Sequence, residues 1–168
     1  MPGAGLFASA NRAGVLDNYD HYQAWLLSQS GTVPTIISYK LGLKGPSYAV
    51  HSNCSSSLIG LHTACQSLLR GEVRHALVGA AALGAGSAGY IYQEGLNFAS
   101  DGHVKTFDAR ADGMIGGEGV AVVLLKRAED AVAEGDHIYA LIRAVAVNND
   151  GTNKTGFYAP SVQGQAEV

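Results

Sequence analysis

Only two cysteines, four prolines, two methionines and one tryptophan occur among the 168 residues. Two cysteines without a paired spacing exclude a disulfide framework and a cysteine-built zinc site. Cys54 and Cys65 are eleven positions apart, about three helical turns or ~16 Å, so they cannot bridge each other. A reducing cytoplasm suits such thiols. Charge is sparse as well, at 15% of the chain, with 11 basic residues against 14 acidic and a net charge of −3. That balance, without a cluster of Lys and Arg interleaved with aromatics, excludes an electrostatic footprint for nucleic acid. No apolar run approaches the ~20 residues of a membrane span, and the first residues lack the basic-then-apolar pattern of a signal peptide. Internal repeats and low-complexity tracts are missing too. What is plentiful is glycine, 22 residues, in a chain that is 47% hydrophobic. This is a globular composition, long enough for one domain with a sizeable core.

Turn and periodicity signals predict an alternation of helices and buried strands. Strands are expected at Gly5–Ala10, Tyr48–Asn53, His75–Ala82, Gly119–Lys126 and Ile138–Val147. Helices are expected at Asn18–Ser28 and Val33–Leu41, from Cys54 to Leu69 with Gly71 as its stop, and at Ala128–Glu134. Gly84–Gly89 reads as a glycine-rich loop, Tyr90–Phe98 as a short helix or irregular, and Phe107–Glu118 as a turn-rich connector. Asn148-Asn149-Asp150-Gly151 reads as a turn. Such alternation indicates an α/β protein with helices covering the faces of a sheet. Both ends read like interior sequence, so the chain is expected to be a segment of a longer domain. A sheet without its partner strands exposes apolar faces and open edges, which predicts poor solubility for these residues alone.

Cys54 stands where the strand runs into the helix. Unpaired N–H groups and the positive end of the dipole favour thiolate there, and thiolate is the nucleophilic form. Ser55, Ser56 and Ser57 suit a first turn, where short hydroxyls satisfy loose backbone donors. The Cys54 N–H is a candidate donor to an oxyanion formed on a thioester. His51 is expected to be structural rather than a base for Cys54, and Cys65 to pack inertly. His62, on the apolar face, is expected to be a hydrogen-bonded core histidine. Asp108 and Asp112 are expected to make local turn bonds. Gly113, Gly116, Gly117 and Gly119 lead into a strand, which excludes a nucleotide loop.

Three stretches, Leu43-Lys44-Gly45-Pro46-Ser47, Asn53-Cys54-Ser55-Ser56-Ser57-Leu58 and Phe107-Asp108-Ala109-Arg110-Ala111-Asp112-Gly113-Met114-Ile115-Gly116-Gly117-Glu118-Gly119, occur in this order. Together they closely resemble the β-ketoacyl synthase (ketosynthase) domain of bacterial modular polyketide synthases. Val33-Pro34-Thr35, Val50-His51-Ser52-Asn53 and Gly156-Phe157-Tyr158-Ala159-Pro160-Ser161 look most like synthases served by free-standing acyltransferases, the trans-acyltransferase kind. The resemblance implies a thiolase-like fold, two similar halves stacked as five alternating α and β layers. Residues 1–135 would form most of the first half, and residues 136–168 the start of the second with its first strand.

The chemistry implied is decarboxylative Claisen condensation, with Cys54 as the acyl acceptor. The partner implied is an acyl carrier protein whose phosphopantetheine arm delivers the acyl group. A homodimer is implied for the whole domain, and no metal or tightly held cofactor. The family's two active-site His residues, a Lys and a second oxyanion amide fall beyond Val168, so these residues alone are expected not to condense anything. By the same resemblance Glu118 is a buried acid that organises that Lys; read alone it is a solvated turn carboxylate. Many members carry Asp-Thr-Ala where this chain has His51-Ser52-Asn53. A rival reading from another class is a silent, non-catalytic docking module of the same fold.

Overall fold

The computed structural model of the chain describes residues 18–84 and 89–168. The strand expected at Gly5–Ala10 and part of the Gly84–Gly89 loop lie outside these residues. The elements are α1 (Asn18–Ser28), α2 (Thr32–Leu41), a 3-10 turn (Asn53–Ser55), α3 (Ser56–Leu69), β1 (His75–Ala82), β2 (Gly119–Lys126), α4 (Ala128–Glu134) and α5 (Val162–Glu167). The four helices α1 to α4 and the two strands match the sequence expectation to within two residues. Two compact units are present: one runs to Gly79 and resumes over Val122–Val168, and the other is Ala80–Ala121.

In the first unit, α1 and α2 form a helical pair. Thr32 Oγ1 donates to the Leu26 carbonyl at 2.7 Å, closing the bend between them. Pro34 falls in the first turn of α2, where a missing N–H costs nothing. Helix α3 packs on β1 at Gly60, where a Cβ would lie 3.5 Å from Val78 Cγ1. It ends as expected at Gly71, whose φ of 71° lets the Glu72 N–H return to the Ser67 carbonyl at 3.0 Å. Strands β1 and β2 are hydrogen-bonded neighbours, and β2 is rich in the β-branched residues that suit a pleated surface.

Past β2 the chain is tied down by charge. Lys126, its side chain only 10% exposed, pairs with both Glu134 and Asp136, and Arg74 reaches Glu134 at 2.8 Å. The Lys126 ammonium holds the Glu134 carboxyl below the usual carboxylate range, with Arg74 adding to it. The Asp136 and then the Glu134 carboxylates push Lys126 up in turn. A lowered carboxyl pKa stabilises the fold above its ordinary value of ~4.3 and loses that effect as pH falls through the folded value. A raised Lys pKa stabilises below ~10.4 and fails as pH rises through the folded value. In a full-length domain carrying this sequence, Glu134→Gln should therefore lower the melting temperature by a few degrees at neutral pH. The difference should begin to shrink as the pH falls below the ordinary carboxyl value of ~4.3 and close as it passes through the lowered folded value, as melts across a pH series would show.

Two expected strands are absent. Tyr48–Asn53 and Ile138–Val147 form no ladder among the described residues. A strand exists by virtue of its partner, and neither segment has one here, although both carry suitable side chains. They are also open rather than buried: Tyr48 is 54% exposed and Leu141 60%. The same thinness runs through the molecule. Among the described residues Leu68, Ala99 and Ala131 are the buried apolar ones, and Val120, Val122 and Leu124 of β2 stay exposed. The apolar faces are uncovered, as expected for a sheet of two strands.

Candidate active site

The candidate nucleophile, Cys54, lies in the first unit. The chain passes Ser52 with φ of −147° and ψ of 44°, turns through a left-handed Asn53 with φ of 48°, and enters the 3-10 turn Asn53–Ser55 before α3 begins at Ser56. Cys54 is thus on a 3-10 turn ahead of the α-helix rather than within its first α-turn. The serines explain the tightening. Ser55 N–H donates to the Ser52 carbonyl at 3.1 Å, the i to i+3 bond of a 3-10 turn. Ser55 Oγ reinforces it on the same carbonyl at 2.8 Å, and Ser56 Oγ donates to the Asn53 carbonyl at 2.7 Å. Ser56 Oγ also accepts from the Ser52 N–H at 2.8 Å, so one loose backbone donor is satisfied by a hydroxyl, as the sequence suggested. Cys54 is left exposed on the outside of this bend.

The other cysteine contrasts with it. Cys65 is half-buried on α3, and burial pushes its thiol up. A thiol held neutral is a poor nucleophile. Iodoacetamide should therefore modify Cys54 well before Cys65, by about tenfold or more in rate at neutral pH. Labelling of Cys65 should gain only as the solution is made alkaline; peptide mapping of the adducts reads both sites. His51 is exposed. His62 departs from expectation: it is half-buried, but its Nδ1 is buried without a hydrogen-bond partner among the described residues.

Glu118 belongs to the second unit and is exposed, not buried. It stands immediately before β2, and its Oε1 accepts from the Gly84 N–H at 2.9 Å, tying the chain that leaves β1 to the residue before β2. With only two strands in the sheet, no described residue of this unit covers the carboxylate.

Sequence reading missed a second device in this unit. Asp108 makes the expected local bonds, to the Arg110 N–H at 2.8 Å and its guanidinium at 2.9 Å. Asp112 instead reaches back twelve residues: its carboxylate accepts from the Ser100 N–H at 3.2 Å and from the Ser100 hydroxyl, with Lys105 Nζ at 3.5 Å. The Ser100 bonds, with Lys105 adding to them, hold the Asp112 carboxyl below its ordinary range. Next to it, Met114 bridges Phe98, and the Ala99 N–H donates to the Met114 carbonyl at 2.9 Å. This crossing runs over Gly113, where a Cβ would fall 2.4 Å from the Ala99 nitrogen and the Phe98 carbonyl carbon. The glycine of the Asp-Gly pair is the only readable signal of that close approach.

Elsewhere in the first unit, the turn expected at Asn148–Gly151 falls slightly later: the Asn153 N–H donates to the Asp150 carbonyl at 3.2 Å, and the Gly151 N–H donates to Asn149 Oδ1 at 2.8 Å. A shallow cleft of about 290 Å³ follows it, lined by Gly151, Thr152, Lys154, Gly156 and Phe157. Among the described residues no group of three His, Cys, Asp or Glu side chains is gathered to hold a metal ion.

Residues 4–131 match the family described as Beta-ketoacyl synthase, N-terminal domain. Polyketide synthase PksN of Bacillus subtilis is 69% identical over 150 residues, which are 89% of this chain and 3% of that protein. A phenolphthiocerol/phthiocerol polyketide synthase of Mycobacterium tuberculosis is 43% identical over 152 residues, 90% of this chain and 10% of its own length. Among solved structures, ketosynthase twelve of the bacillaene polyketide synthase from Bacillus amyloliquefaciens superposes with a TM-score of 0.84 at 62% identity, over 92% of this chain and 28% of that one. The ketosynthase from module 1 of the bacillaene synthase of the same species gives 0.80 at 68% identity, over 89% and 27%. The chain therefore spans a small part of the relatives it matches, and it shares with them a thiolase-like α/β fold. It belongs to the β-ketoacyl synthase family, as part of the N-terminal ketosynthase domain found in bacterial modular polyketide synthases.

Proposed function

We propose that this chain is the nucleophile-bearing part of a condensing ketosynthase of the trans-acyltransferase kind, with Cys54 as acyl acceptor. The observation that carries the reading is an exposed thiol on a serine-locked turn at the head of α3, inside the stretch that matches the family. The Cys54 thiolate attacks the carbonyl of an acyl thioester on the phosphopantetheine arm of an acyl carrier protein. A new sulfur–carbon bond forms, the carrier's thiolate leaves, and the proton lost by Cys54 balances its charge. In this reading the Cys54 N–H donates to the oxyanion between these states. Similarity to bacillaene ketosynthases supports the trans-acyltransferase assignment.

Decarboxylation of the malonyl unit and attack of the resulting carbanion on the acyl-Cys54 thioester need groups from the rest of the domain. In this reading residues 1–135 belong to the first thiolase-like half and residues 136–168 open the second. Ser55 supports the turn, and Glu118 organises a Lys supplied by the remainder. The working protein is a cytoplasmic homodimer that takes no metal or bound cofactor of its own. No described helix is long and apolar enough to cross a membrane.

The test is to incubate a full domain carrying this sequence with acyl-loaded carrier and map the adduct by mass spectrometry. An acyl group on the Cys54 peptide is expected. An unmodified Cys54, or acylation elsewhere, would overturn the assignment and leave the silent module in its place.

A further inference from the structure

We propose that Phe107 is an interface anchor, seating the Lys105–Asp108 turn against the remainder of the ketosynthase domain. The inference is independent of the role of Cys54. Phe107 holds a left-handed backbone with φ of 60°. For a bulky aromatic that conformation is an outlier, and it persists only where the surroundings impose it. They impose it from both sides. Across the turn the Asp108 N–H donates to the Lys105 carbonyl at 3.2 Å, and the Ala111 N–H donates to the Asp108 carbonyl at 3.0 Å. The Asp108 carboxylate accepts from the Arg110 N–H at 2.8 Å and from its guanidinium at 2.9 Å. On the other flank Lys105 Nζ pairs with Asp101 at 2.8 Å and with Asp112 at 3.5 Å.

The ring itself holds nothing in this turn. Phe107 is 104% exposed, the value of an uncovered residue, and Val104 beside the turn is 54% exposed. Gly would meet the same backbone without strain, so an aromatic here serves neither the turn nor a local core. A large rigid ring presented whole, on a backbone fixed by its neighbours, suits the apolar centre of an interface. The flanking charges are already paired with one another, so the ring is what this turn offers a partner. Length indicates which partner. The two bacillaene ketosynthases match about nine-tenths of this chain with 28% and 27% of their own. Most of the surface of a whole domain is therefore supplied by residues outside the match, and an apolar seat for Phe107 is assigned to them.

Two measurements on a full-length domain carrying this sequence test the proposal. The first places the photoreactive p-benzoyl-phenylalanine at position 107, irradiates the protein and maps the product by denaturing gel and mass spectrometry. A link within one chain, to a peptide that follows position 168, is expected. A product of twice the chain mass would mean that a second copy covers the ring, and it overturns the proposal, as does a link confined to residues 1–168 or no link at all. The second compares the melting temperatures of Phe107→Ala and Phe107→Gly with the parent. A covered ring makes both variants melt lower, by about 3 °C or more. An idle ring gives a different pattern: Ala melts with the parent, and Gly, which takes the left-handed angle freely, melts at the parent's temperature or above it. That pattern overturns the proposal. Should the photoreactive residue prevent folding, the Ala and Gly melts decide.

Discussion

Cys54→Ala in a full ketosynthase domain should abolish acyl transfer, with turnover falling by about a thousandfold or more, to background. The size of the effect follows from the chemistry. Without the sulfur there is no atom on which to store the acyl group, and positioning of the remaining groups cannot supply a nucleophile. Cys54→Ser should do little better, because a hydroxyl at that position stays protonated at neutral pH. Stability should hardly move. Cys54 is exposed, and surface substitutions away from caps and networks stay within about 0.5 kcal/mol. Acylation kinetics and a thermal melt measured on the same sample separate the two effects. A variant that lost activity and melted early would instead show that the thiol is part of the packing.

The second large effect is structural. Gly113→Ala should destabilise the Ala80–Ala121 unit by about 3 kcal/mol or more, at the top of the range for overpacking or above it. The added Cβ would stand 2.4 Å from the Ala99 nitrogen and from the Phe98 carbonyl carbon, and 2.6 Å from the Phe98 oxygen. All three are backbone atoms, so no rotamer change relieves the contact. Relief would have to come from breaking the Phe98–Met114 bridge and the Ala99–Met114 hydrogen bond, and with them the seat of Ala99, which is fully buried. Poor soluble yield and a lowered denaturation midpoint of the full domain are expected. A Gly113→Ala protein melting with the parent would mean that the two segments do not cross this closely.

Asp112 shows why sequence and structure divide the information as they do. Its turn-forming chemistry was legible, since Asp beside Gly favours a bend. Its actual partner, Ser100, is twelve residues away and carries no local signature. Glu118 was readable either as a turn carboxylate or as a buried acid, and within this unit it is exposed and bonded to the Gly84 N–H. The His62 ring was placed correctly on its helix, but whether a partner faces it depends on what packs there.

The amino-acid sequence on its own determined the helices at Asn18–Ser28, Thr32–Leu41, Ser56–Leu69 and Ala128–Glu134, both paired strands, and the exposed cysteine at the head of a helix. Those features follow from interactions within a few residues: apolar spacing, glycine stops, β-branched runs and serine hydroxyls on nearby backbone groups. Only the tertiary structure decided that Tyr48–Asn53 and Ile138–Val147 lack a ladder, that Asn53 is left-handed, and that Gly113 lies under a crossing segment. Each of these depends on which distant backbone arrives at a given place. A chain's local pattern encodes a strand's willingness to pair, while the pairing itself needs a partner brought in from elsewhere.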